Sequence, residues 1–191
     1  SVNGVYAIKP SMGQVSRSGV VPLSSSQDSV GPMAHSLKDA RLVLSVLQGR
    51  DPLDTSTHSF ELQTLPKITK SSLVIGALPS DKFTVETQRL YKKQLSALKQ
   101  AGHTVVNIDI SDDLATLFFD EYYILLYDFN KEINQYLANT PDQVKVKSLS
   151  ALIDFNKQNK AAEMPHFGQD ILIQANAIDL TQTDKYQKTK H

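Results

Sequence analysis

The chain has 191 residues, 40% apolar and 21% charged, which suits one domain with a real core and lies far from the composition of disordered chains. Twenty basic and twenty acidic side chains cancel, so nothing pulls the chain as a whole toward nucleic-acid phosphates; no apolar run approaches the roughly 18 residues that span a bilayer. Cysteine is absent, which removes disulfides, Cys-ligated zinc and a thiol nucleophile from these residues.

The opening "SVNGVYAIKP" lacks the basic-then-apolar pattern of an export signal, and Val5 to Ile8 alternate enough to form a short strand that Pro10 ends. Ser11 to Pro32 is rich in Ser, Gly and Pro without helical period, an irregular loop of a length that is usually functional. Ser36 then reads as an N-cap with Asp39 in the first turn. Leu37, Ala40, Leu44 and Leu47 fall on one stripe, and Gly49 supplies a left-handed stop. A polar connection with two prolines follows from Arg50.

"LVIGALP", then "TVETQRLYKKQLSALKQAG" with Tyr91, Leu95 and Leu98 on one face, then "TVVNIDI" read as strand, helix and strand, a β-α-β unit with parallel strands over 71–110. A long helix is predicted from about Leu114 to Leu137, followed by helices in "SLSALIDFNKQN" and "GQDILIQANAI"; the charged end "DKYQKTKH" offers no core face of its own. The expectation is a single partial domain over 1–191, made of a loop-and-helix segment (1–60), the β-α-β unit (71–110) and a helical region (111–191). Its class is α/β.

The stretch "GVYAIKPSMGQVSRSGVVPLSSSQDSVGPMAHSLKDARLVLSVLQGRDPLD" resembles the segment of amidase-signature hydrolases that follows their nucleophilic serine, with G-x-K-P, G-x-V-S-R-x-G, D-x-x-G-P, a helix and a G-x-D tail in order. "LIDFNKQNKAAEMPHFGQDIL" further resembles the peptide-amidase-like branch. The resemblance implies part of an α/β/α fold, a mixed sheet flanked by helices, truncated at both ends. It also implies cleavage of a carboxamide C–N bond without a cofactor, and the branch makes a peptide C-terminal amide the candidate substrate.

The family's triad is a lysine, a serine in a cis peptide and a nucleophilic serine, all preceding the segment that opens this chain. Ser1 and Lys9 therefore match neither nucleophile nor base, no catalytic residue lies in these residues, and the chain alone is expected to be inactive. Gln27 and Asp28 are candidates to line or brace the catalytic centre, set against the alternative that Asp28 closes its own loop by capping backbone amides. Arg17 is a structural candidate whose forked guanidinium ties the loop to carbonyls or a carboxylate.

The serines Ser24, Ser25 and Ser26 lack a paired base at telling spacing and read as a hydroxyl-rich loop. Asp112 with Asp113 suits a helix start, and Asp120 with Glu121 a solvated face. His35, His58, His103, His166 and His191 show no metal-ligand spacing, so no metal is expected. The rival reading is a non-catalytic module that docks a partner through the aromatic helix 114–137, with Phe118, Phe119, Tyr122, Tyr123, Tyr127 and Phe129. Partners expected are an amide substrate in the full-length enzyme, no nucleic acid and no membrane, with room for self-association through exposed sheet edges.

Overall fold

A computed structural model describes residues 3–58 and 72–190, and the chain divides into two compact units, Ser1–Gln63 with Asp120–His191, and Thr64–Phe119. The architecture is mixed α/β. The latter part of the polar connection lies outside the described residues.

In the first unit, β1 (Tyr6–Ala7) pairs antiparallel with β2 (Met33–Ala34), Tyr6 opposite Ala34. The Ile8 amide continues this pairing to the Pro32 carbonyl at 3.1 Å. β1 lies where alternation placed it, whereas β2, only two residues long, carries no periodic signal. Gly31 sits where the returning chain crosses β1: a Cβ there would come 2.1 Å from the Ile8 carbonyl oxygen, so only glycine fits the crossing. α1 (Leu37–Leu47) packs on this pair; the Ser36 hydroxyl caps it by accepting from the Asp39 amide at 3.1 Å. Gly49 has a φ of +152°, outside the left-handed helical well, and the helix is stopped by the extended Gln48 instead.

The hydrophobic core of this unit is helical. Leu126 and Ile133, two turns apart on α3 (Ser111–Ala138), meet Leu149 and Ile153 of α4 (Leu149–Gln158) and Ala175 of α6 (Asp170–Asn176). Ser148 caps α4 through the Ala151 amide at 3.1 Å, and the Asn134 side chain of α3 accepts from the Leu149 amide at 2.8 Å. α5 (Lys160–Glu163) is a single turn after α4. The charged C-terminal stretch corrects expectation: it forms α7 (Thr183–Lys190), and Tyr186 stacks on Tyr127 with ring centroids 4.4 Å apart. Charge density concealed one aromatic anchor that gives this helix an inner face.

The second unit is the predicted β-α-β element. β3 (Val74–Ala77) and β4 (Thr104–Asn107) are parallel, Val74 opposite Thr104, joined through α2 (Val85–Gln100). Thr84 caps α2, while Tyr91, Leu95 and Leu98 form its half-buried face. Among the described residues no helix is long and apolar enough to cross a membrane.

Candidate functional site

The loop from Ser11 to Pro32 has almost no backbone ladder, so side chains must hold it. Arg17 supplies one anchor. Its Nη1 donates to the Ser25 carbonyl at 2.6 Å, Nη2 to the Ser56 hydroxyl at 2.8 Å and Nε to the Asp54 carboxylate at 3.3 Å, while its amide also donates to Asp54 at 2.9 Å. Burial opposes the Asp54 charge. The Ser56 hydroxyl, the Arg17 amide and guanidinium and the Ser56 amide outweigh it, holding Asp54 well below the usual carboxylate range. Beside it, Asp51 is also lowered, first by the Ser16 hydroxyl at 2.6 Å and then by the Leu53 amide.

Asp28 closes the turn that contains the serines. One of its oxygens, Oδ2, accepts from the Leu23 amide at 2.9 Å and the Ser24 amide at 3.0 Å. Gln27 is half-buried in the same turn, its amide donating to the Ser24 carbonyl at 2.9 Å. Arg17, Asp28, Asp54 and Glu132 line a cavity of about 180 Å³ together with Val20 and Leu53.

Two acidic residues without a role in the sequence-based expectation face this turn. Asp128 and Glu132 stand one helical turn apart on α3, on the side away from Leu126 and Ile133. The buried Asp128 Oδ2 accepts from the Ser24 hydroxyl at 2.7 Å and the Ser26 hydroxyl at 2.6 Å; the Glu132 carboxylate accepts from the Ser25 amide at 2.9 and 3.1 Å. The available signal was their i, i+4 spacing inside "YDFNKEINQYLA". Among the described residues no serine hydroxyl is hydrogen-bonded to a lysine or histidine, so the three serines are loop braces.

The aromatic residues of α3 divide. Tyr122 and Phe129 pack against the core and Tyr127 is buried, while Phe118 and Phe119 are 62% and 72% exposed. Asp120 and Glu121 are both exposed, as expected of a solvated face; the Asp112 and Asp113 side chains lie outside the described residues. Lys9 is exposed, and Ser1 and His191 lie outside the described residues. No group of three potential ligand side chains suited to a metal ion occurs among the described residues.

The cross-braced polar loop and the helix that holds it lie within a chain that matches one family of hydrolases almost from end to end. Residues 1–190 match the Amidase family, and the chain belongs to it. The native peptide amidase of Stenotrophomonas maltophilia is 30% identical and superposes with a TM-score of 0.79, over 99% of this chain and 40% of that one. A probable amidase of Arabidopsis thaliana is 29% identical over 93% of this chain and 36% of its own length. An amidase family protein of Bacillus anthracis is 25% identical and superposes with a TM-score of 0.77, over 97% of this chain and 37% of that one. The chain thus spans about two fifths or less of the length of these relatives.

Proposed function

We propose that these residues form the loop-bearing wall of an amidase that cleaves a carboxamide C–N bond, with peptide C-terminal amides as its substrate class. The observation that carries the reading is the likeness to peptide amidase over nearly the whole chain. In this reading the lysine, the cis serine and the nucleophilic serine come from residues outside this chain. The serine hydroxyl attacks the amide carbon, its proton passes through the relay to the departing amine, and water then releases the acyl group. Gln27 and Asp28 sit at the edge of that centre. Their contribution is placement: Arg17, Asp28 and the α3 acids hold the loop before substrate arrives, so no ordering cost falls on the reaction.

The test is ammonia release from peptide C-terminal amides, measured on residues 1–191 and on a longer protein that also carries the family's serine-rich segment. The longer protein is expected to release ammonia and the chain alone none. Turnover by the chain alone, with its mass verified and longer enzyme excluded, refutes the placement of the triad. A longer protein inert toward all amides refutes the activity.

A further inference from the structure

Asp128 is a buried carboxylate that the proposed chemistry does not use. Burying a charge is unfavourable unless hydrogen bonds replace its water, and here two of them come from one loop, through the Ser24 and Ser26 hydroxyls on a single oxygen. Ser24 itself is fully buried and gripped from two sides, its amide by Asp28 and its hydroxyl by Asp128. The next residue is held by Glu132 through its amide and by Arg17 through its carbonyl.

The Tyr186 phenol also interacts with this cluster, at Asp128 and Ser26. Burial, then its hydrogen bond and charge contact with Asp128, push its pKa up to about 12, so it stays protonated and adds no second charge. A loop with no ladder of its own therefore takes part of its position from α3, and a shift at Asp128 is passed through Ser24 to Asp28 and Gln27.

We propose that Asp128 is a positioning residue for amide cleavage: its carboxylate fixes the 24–28 turn that carries Gln27 and Asp28. The inference rests on the amidase reading above. A carboxylate only accepts, so both hydroxyl protons are committed toward α3. Asparagine keeps one accepting oxygen of the same shape, whereas alanine keeps none.

The test uses the full-length protein with D128A and D128N, reading kcat and KM on a peptide amide together with amide hydrogen exchange. In D128A, exchange at Leu23 to Asp28 is expected to rise, and kcat to fall, by about tenfold or more, with KM within about threefold and the α4 amides unchanged. D128N is expected to recover most of the kcat loss. An unchanged kcat or unchanged loop exchange in D128A, or equal losses in both variants, overturns the inference. Should D128A fail to fold, S26A removes one donor from the half-buried turn; faster loop exchange with reduced kcat supports the inference, and wild-type values overturn it. A wild-type protein that releases no ammonia overturns the amidase reading instead, and loop exchange still decides whether Asp128 holds the turn.

Discussion

Replacing Arg17 with alanine isolates the braces between the loop and the 51–58 segment. Three side-chain bonds disappear: to Ser25 at 2.6 Å, to Ser56 at 2.8 Å and to Asp54 at 3.3 Å. A hydrogen bond involving a charged group contributes about 1.5–3 kcal/mol, but only the first two have good geometry here. The groups left behind soften the loss. Ser25 is exposed and its carbonyl rehydrates, and Asp54 keeps the Ser56 hydroxyl at 2.6 Å and the Arg17 amide. The lower bound for two bonds therefore applies, and R17A is expected to destabilise the first unit by about 3 kcal/mol. R17K keeps the charge and loses the fork, so it should recover less than half of that. Urea unfolding followed by tyrosine fluorescence, which the absence of tryptophan leaves clean, measures the difference. A shift in R17A within about 0.5 kcal/mol, as for an ordinary surface site, refutes the brace.

Three further outcomes follow from the same structure. L149A truncates a fully buried side chain at the junction of α3, α4 and α6 and should cost about 2–5 kcal/mol in urea unfolding. Asp54 binds its proton less tightly folded than unfolded, so its stabilisation is present above the ordinary value of 3.8 and is lost as pH falls below it; D54N should lower stability at neutral pH and flatten the acid limb of a stability–pH curve. Tyr186 has the opposite sign: its raised pKa stabilises the fold below pH 10, a contribution lost as pH rises from 10 toward about 12. Y186F should remove that alkaline limb, and the near-ultraviolet phenolate titration should lose its latest-titrating tyrosine.

Local rules made most elements legible. Ser36 caps the helix that follows it, and Tyr91, Leu95 and Leu98 face inward as their spacing required. The parallel pairing of β3 with β4 followed from a helix between two apolar runs. β2 escaped notice because two residues carry no period, and α7 because one tyrosine among charges does not make a stripe. The candidate site was half legible. Arg17 and Asp28 stand in recognisable motifs, but Asp54, Asp128 and Glu132 act on the loop from 37, more than 100 and 107 residues away. No local pattern encodes such pairings; tertiary folding makes them.

The distribution of burial decides where this chain is sensitive to change. α1 turns only Ala40 fully inward, while Leu42, Val43 and Val46 remain 63%, 42% and 78% exposed. Truncating Val46 in this chain therefore removes little buried area and little stability. The polar turn at 24–28 is held instead by hydrogen bonds from Asp28 and Asp128, and a buried partner left unpaired costs more than the bond itself contributed. Substitutions that look conservative by hydropathy, such as Ser24→Ala, remove one of two loop hydroxyls from a buried carboxylate. For this chain the loop residues, more than the apolar stripe of α1, define the structure on which the proposed catalysis depends.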